Sequence, residues 1–500
     1  MNLAWNLLET ARARGDRAAL RQADDVMPYA RLDEDSARVT GLLKRRGVRP
    51  GDRVGLMLPN TVEFAVCYYG ILRAGGVVVP MNPLLKAREV TYYLRDCEAR
   101  LMFAWHASAA QAELGAKEVE AEVIVVEPAS FGAMVADAQA SADVVDRAAD
   151  DTAVILFTSG TTGQPKGAEL THGNLTSNTR VVLDELLEIA GDDVIFGGLP
   201  LFHAFGQTCA LNAAVAAGAS LALLPRFSAE GALRLLEQHA VTVMVGVPTM
   251  YSALLHATDR SGYDTSRLQV CISGGAALPA EVLRAFEAAY DCMVLEGYGL
   301  SETSPVASFN HPHRPRKVGS IGTPIRGVEM KVVDDDGDDV PPGDSGEIVI
   351  RGPNVMKGYW RRPDATAAVM KGGWFHTGDV ARVDEDGYFF IVGRKKDMII
   401  RGGYNVYPRE IEEVLHEHPA VAEAAVFGMP HPDLGEEVGA VVVLKPGADA
   451  TADDLREHVK GQVAAYKYPR KLWVVDELPK GPTGKIHKHE IVPPSGSGQA

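Results

Sequence analysis

The sequence predicts an α/β protein in unequal parts: a large N-terminal domain of parallel-rich α/β sheets with a small antiparallel β subdomain, then a small α+β C-terminal domain. Three textures along the 500 residues predict it. Up to about residue 312, apolar strand-like runs alternate with amphipathic helical stretches, the pattern of mostly parallel sheet covered on both faces. From about 312 to 395 strands become short and turn clusters frequent, as at 334–339, 341–343 and 384–387, which reads as antiparallel β. Past the basic run 394–396 the order is helix, strand, strand, helix within about a hundred residues, a usual domain size. The expected boundaries are 1–395 (β subdomain about 312–395) and 396–492, with a Pro/Gly/Ser-rich tail at 493–500 expected to fray. Five hundred residues also exceed what one hydrophobic core usually supports.

In chain order, 53–58 reads as a buried strand, 63–74 as an amphipathic helix and 75–80 as the next strand. An apolar run at 153–157 reads as a strand leading into Thr158-Ser159-Gly160-Thr161-Thr162-Gly163-Gln164-Pro165-Lys166-Gly167. From 194 to 225 there is no Asp, Glu, Lys or Arg. About 20 apolar residues can span a membrane. Here Pro200, His203, Gln207, Asn212 and Gly218 interrupt the run, so a buried helix and strand, broken at 218–220, is expected, with substrate-lining residues at the start. Residues 241–247, 268–272 and 293–296 read as further strands. The last two are expected to end in Gly-rich turns, Ser273-Gly274-Gly275-Ala276 and Gly297-Tyr298-Gly299. Such turns suit a ligand site at the carboxyl edge of a parallel sheet. The acidic run 334–339 does not fit a calcium loop, because the twelfth position is Ser345 rather than Glu. It reads as a solvated hairpin turn. Residues 410–418 and 452–463 read as helices, 421–427 and 439–444 as strands.

The stretch 158–167 carries the chemistry. Its glycines let backbone N–H groups curl around phosphate oxygens, while its hydroxyls and lysine add donors and charge. It is not a Walker P-loop: counted from Gly160, that pattern needs Gly at Pro165 and Ser or Thr at Gly167. A Gly-rich surface turn has the same composition, so the rest of the chain decides.

Composition bounds the alternatives. The chain is 46% hydrophobic and 23% charged, with net charge −16. This argues against nucleic acid or an anionic membrane surface as a general partner. The five cysteines, at 67, 97, 209, 271 and 292, show no CxxC spacing, which suits a reducing cytosol and offers no metal or disulfide framework. Charges at Glu9 and Arg12 arrive too early for a secretory leader, so a cytoplasmic protein is expected.

The chain resembles the adenylate-forming superfamily of acyl-CoA synthetases, luciferases and adenylation domains over essentially its whole length. The stretches that carry the likeness fall in the family's order: 158–167; Leu199-Pro-Leu-Phe-His203; Ser273-Gly-Gly-Ala-Ala277; Tyr298-Gly-Leu-Ser-Glu302; Trp374-Phe-His-Thr-Gly-Asp379; Gly393-Arg-Lys-Lys-Asp397; and Pro482-Thr-Gly-Lys485. Within the superfamily it is most similar to bacterial fatty acyl-CoA ligases, through 295–305, Met356-Lys-Gly-Tyr-Trp360 and Asn405-Val-Tyr-Pro-Arg-Glu410. The resemblance implies two half-reactions. A carboxylate attacks the α-phosphorus of ATP to give acyl-AMP and pyrophosphate, and the thiol of coenzyme A then displaces AMP. Positioning and electrostatics should dominate such chemistry.

The resemblance also implies residue roles. Thr158, Ser159, Gly160, Thr161, Thr162 and Lys166 would hold the β- and γ-phosphates. Glu302 would ligate Mg²⁺, with Thr158 close by, and Ser301 precedes it where Thr is commoner. Gly274, Gly275, Ala276, Glu296, Gly297, Tyr298 and Gly299 would flank adenine, with Tyr298 stacking on the base. Asp379 would accept both ribose hydroxyls, and Arg394 would contact ribose or phosphate. Lys485, a mobile point charge, would bridge the substrate carboxylate and the ribose-phosphate. His203 would gate the carboxylate end of an acyl pocket lined by Ala204, Phe205, Gly206, Gly275, Ala276 and Gly299. Lys396 falls at the family's hinge, so the C-terminal domain is expected to be mobile. It would withdraw Lys485 and bring Gly402, Gly403 and Tyr404 to the pantetheine tunnel. After Lys485 the chain reads Ile486-His487-Lys488-His489 where relatives carry Leu and Arg, a change that alters local charge.

Rival activities separate on single residues. An amino-acid-activating domain needs an acid near Phe202-His203-Ala204, and none is there. A malonate-type enzyme needs an arginine in 251–255, and none is there. An aryl-acid ligase of the coumarate type shares every motif and stays open. A luciferase-like monooxygenase has no positive sign. A non-catalytic acyl or nucleotide binder would not need Glu302, Asp379, Arg394 and Lys485 together. The expected partner is a carboxylic acid, a fatty acid in the leading reading. A monomer or homodimer without a membrane span, making at most transient membrane contact, is expected.

Overall fold

The computed structural model describes residues 1–158, 164–481 and 484–492. Ser159, Gly160, Thr161, Thr162, Gly163, Pro482, Thr483 and the 493–500 tail lie outside the described residues.

Two parallel-rich sheets form the body. In the first, strands Thr152–Thr158, Val77–Pro80, Arg53–Met57, Leu101–Trp105 and Glu122–Val126 run parallel, side by side in that order. All but the edge strand 122–126 and the outer end of 152–158 are near-continuous apolar runs, as burial on both faces requires. The helix Val62–Arg73 covers one face and is buried almost throughout. In the second sheet Met293–Gly299, Val270–Ser273, Val243–Gly246, Val194–Gly197, Ser220–Leu223 and Ala18–Gln22 are parallel neighbours. The charge-free stretch 194–225 is two strands of this sheet joined by a buried helical segment, Gly206–Ala217. Gly218, at φ +71°, ends that segment where the break was expected. Among the described residues no helix is long and apolar enough to cross a membrane.

One expectation is corrected. Gly297-Tyr298-Gly299 is not a turn after a strand ending at 296: the strand runs on to Gly299 and pairs antiparallel with Val306–Phe309. The glycines serve close approach instead of turning. A Cβ on Gly299 would lie 1.7 Å from the Pro305 carbonyl oxygen, and one on Gly297 2.4 Å from the Phe309 ring. The other expected turn is real, with Gly275 at φ +80°.

A third sheet is antiparallel and built from Glu329–Val333, Ser345–Arg351, Met370–Lys371, Trp374–Val383 and Phe389–Arg394. The acidic run 334–339 is its first hairpin turn, where Asp334 accepts the N–H groups of Asp336 and Asp338. The C-terminal unit has its own sheet, spanning Ile399–Arg401 to Lys471–Val474, and its own core around Ile411, Leu415, Val426, Ala440 and Leu455. Helices Pro408–Glu417 and Ala452–Lys460 pack on it.

Candidate active site

A large cleft, about 1010 Å³, runs from the carboxyl edges of both parallel sheets to the C-terminal unit. At one end stand Thr158 and Lys166, register partners where the strands Thr152–Thr158 and Lys166–Thr171 diverge into the hydroxyl-rich loop. Glu302 sits in a one-turn helix, Ser301–Thr303, and is 8% exposed. The hydroxyls of Tyr359 (2.9 Å) and Thr158 (3.3 Å) both donate to its Oε1. The Tyr359 ring also lies 5.4 Å from the Lys166 ammonium.

Thr377 and Gly378 line the middle of the cleft, while Asp379, the next residue, is 4% exposed and lies behind that lining. Its strand, Trp374–Val383, bulges between its pairings with Val349 and Glu347, and Gly378 at φ +73° makes the bend. At this bulge Asp379 meets two residues of the cleft wall. Its Oδ1 pairs with Arg394 Nε at 2.7 Å, and its Oδ2 accepts the Tyr298 hydroxyl at 2.6 Å. Burial, then the Asp379 charge, pushes the Tyr298 pKa up, so the phenol stays a donor. The 273–277 turn and Gly297–Gly299 also line the cleft.

Beyond them the walls turn apolar, with Phe202, Ala204, Phe205, Val247, Pro305 and Val306. A Cβ on Gly274 would stand 3.1 Å from the Phe205 ring, so Phe205 lies close over that glycine. His203 lies at the boundary, and burial pushes its pKa down to about 4, leaving a neutral imidazole at pH 7. Lys485 enters from the C-terminal unit. Gly484, at φ +75°, lets the segment close on Thr249, where a Cβ would come within 2.4 Å of the Thr249 hydroxyl. Lys485 stays accessible from the open cleft. Its ammonium is crowded by protein atoms and by Arg394, which bring its pKa down to about 8.

Of the residues singled out in the sequence, Thr158, Lys166, His203, Glu302, Arg394, Lys396 and Lys485 share this cleft with both glycine-rich walls. Glu296 does not. Its carboxylate turns away from the cleft, is 6% exposed and accepts the Gly319 N–H at 3.1 Å. Burial raises its pKa to about 7. Gly402, Gly403 and Tyr404 also lie outside the cleft, and Tyr404 is 59% exposed, stacked on Tyr466. Ser159, Gly160, Thr161 and Thr162 lie outside the described residues. Sequence reasoning missed Tyr359, Glu347 and Thr377, whose hydroxyl accepts the Asp379 N–H at 3.0 Å. Tyr359 was within reach, as the tyrosine of 356–360, but nothing local ties it to Glu302, 57 residues away.

Fold and cleft thus define a protein whose small C-terminal unit delivers a lysine to the carboxyl edges of two parallel sheets. A model of the AMP-binding enzyme family matches residues 7–360, and one of the AMP-binding enzyme C-terminal domain matches 410–485. The chain belongs to the AMP-binding enzyme family. It is an acid–thiol ligase, an acyl-CoA synthetase of the AMP-forming kind. It is 35% identical to a long-chain-fatty-acid–CoA ligase of Bacillus subtilis, over 97% of this chain and 93% of that one. It is 38% identical to a feruloyl-CoA synthase of Amycolatopsis, over 96% of each. Among solved structures, ATP-bound MatB from Rhodopseudomonas palustris superposes with a TM-score of 0.90, at 37% identity over 98% of each chain.

Proposed function

We propose that this chain is an ATP-dependent fatty acyl-CoA ligase for medium or long acids, making acyl-AMP and then acyl-CoA. The observation that carries this reading is the continuity of the cleft. Its polar residues, Lys166, Glu302, Arg394 (paired with the buried Asp379) and Lys485, share one cleft with His203 and with apolar walls of Phe202, Ala204, Phe205, Val247 and Val306. A carboxylate held at that boundary has its apolar tail on one side and the anion-binding groups on the other.

In this reading Thr158, Lys166 and the loop 159–162 bind the β- and γ-phosphates, and Asp379 takes the ribose hydroxyls. Arg394 (2.7 Å) and the Tyr298 hydroxyl (2.6 Å), both from residues of the cleft wall, fix the orientation of that carboxylate. A Mg²⁺ would be held by Glu302, helped by Thr158, whose oxygens suit a hard cation. Among the described residues no three metal-ligating side chains cluster, so phosphate and water would complete its shell. The ion would neutralise phosphate charge. Lys485 offsets the negative charge that develops as carboxylate and phosphate meet, and the neutral His203 closes the apolar side against water. Rotation at Lys396 then withdraws Lys485 and brings Gly402, Gly403 and Tyr404 in for coenzyme A.

The second reading, an aryl-acid ligase, is favoured by the 38% identity to a feruloyl-CoA synthase and by the Phe205 ring over Gly274, a wall that suits a flat substrate. The test is coenzyme-A-dependent AMP release with acetate, octanoate, palmitate, coumarate, benzoate and malonate. Preference for octanoate or palmitate is expected. Preference for coumarate or benzoate overturns the fatty-acid reading and keeps the mechanism.

A further inference from the structure

Glu347 stands where two elements of the cleft meet, on the strand Ser345–Arg351, and is 8% exposed. Its Oε1 accepts the Gly378 N–H at 2.9 Å, inside the bulge that aims Asp379. Its Oε2 accepts the Lys395 ammonium at 3.0 Å and His376 Nδ1 at 3.1 Å. Lys395 also reaches the exposed Asp335 at 2.9 Å.

Lys395 opens the short helical turn Lys395–Asp397, which is spanned by the Met398 N–H donating to the Arg394 carbonyl at 3.1 Å. Lys396 is the middle residue of that turn. Large rotation at Lys396 changes its φ and ψ and opens the turn. Two consecutive ion pairs oppose this opening: Arg394 to Asp379 and Lys395 to Glu347. Tyr407, from the C-terminal unit, packs on the same segment, where a Cβ on Gly393 would lie 3.1 Å from its ring.

We propose that Glu347 is a positioning residue that locks the hinge turn in the orientation that keeps Lys485 in the cleft, and ties that lock to the Asp379 bulge. The inference rests on the two-step ligase reading above. One carboxylate thereby makes the geometry of the ribose site and the closure of the hinge interdependent. Loss of the Lys395 arm frees the turn without touching Asp379. Loss of the Gly378 arm loosens the bulge as well.

The test separates the half-reactions in the full-length protein. Acyl-AMP formation is followed by pyrophosphate release with no coenzyme A, and thioester formation by supplying preformed acyl-AMP and coenzyme A. Glu347→Gln keeps an acceptor for Gly378, and Lys395→Ala truncates a side chain that is 40% exposed. Each is expected to slow acyl-AMP formation about tenfold, as for loss of a part-buried ion pair, and to leave thioester formation within about twofold. The double variant should be no slower than either single one, because both remove the same pair. Lys395→Arg should restore the rate, and Glu347→Ala should add a rise in KM for ATP. Equal slowing of both half-reactions, multiplicative effects in the double variant, or no effect of Lys395→Ala overturns the proposal. A wild-type chain that releases no pyrophosphate with any acid would defeat the ligase reading instead.

Discussion

Lys485 gives the sharpest prediction, because its charge state is set by the cleft. Crowding by protein atoms and by the Arg394 guanidinium brings its pKa from 10.5 to about 8. At that value about nine-tenths of the molecules carry the ammonium at pH 7, and about one-tenth at pH 9. If the ammonium is what bridges carboxylate and phosphate, kcat/KM for ATP in acyl-AMP formation should fall with an apparent pKa near 8. It should lose about tenfold per pH unit beyond it, since kcat/KM reports groups in the free enzyme. Lys485→Arg stays charged throughout and should flatten that limb, at a lower plateau because the guanidinium fork is larger and planar. Lys485→Met should lose about 10²- to 10³-fold at pH 7, the usual cost of one charge-stabilising donor. It should leave thioester formation from preformed acyl-AMP nearly unchanged. The assay is pyrophosphate release between pH 6.5 and 9.5. A flat wild-type profile, or a limb that survives in Lys485→Arg, refutes the assignment.

Three further outcomes are expected. Lys396→Pro should spare acyl-AMP formation and cripple thioester formation, because fixing φ blocks rotation at the hinge; equal loss of both steps refutes the hinge. Phe205→Ala, by removing the ring over Gly274, should shift kcat/KM toward bulkier acids relative to octanoate by about tenfold, checked with the same acid panel. Glu296, with its carboxyl pKa raised from 4.5 to about 7, binds a proton in the native state that the unfolded chain has lost, so stability should fall as pH rises across that window. Glu296→Gln should remove up to about 3 kcal/mol of that fall, read as a smaller gap between thermal melts at pH 5 and pH 8.

The fold was legible because burial writes itself into local pattern. Residues 53–58, 75–80 and 153–157 are apolar runs that only two-sided burial explains, and each became a strand within one or two residues. The break at Gly218 was legible for the same local reason. Part of the site was legible too: the glycines, hydroxyls and lysine of 158–167 have the chemistry of a phosphate loop, whereas Glu302, Asp379, Arg394 and Lys485 stood out only through the family resemblance of their stretches.

What the sequence could not decide was direction. Glu296 and Tyr298 lie two residues apart on one strand. Yet the tyrosine hydroxyl reaches Asp379, and the carboxylate turns from the cleft to the Gly319 N–H. Gly297 and Gly299 had the composition of a turn. Only the approach of Phe309 and Pro305 makes them strand residues with no room for a side chain. Nothing local tied Tyr359 or Glu347 to the site, because their partners lie far along the chain: Glu302 in a one-turn helix for Tyr359, and the bulge at Gly378 and the turn at Lys395 for Glu347. Periodicity and composition therefore determined most of the elements, and the resemblance carried by the motifs implied the kind of chemistry. Which side chains share the cleft was decided by register, bulges and close packing, because those depend on contacts between residues far apart in the chain.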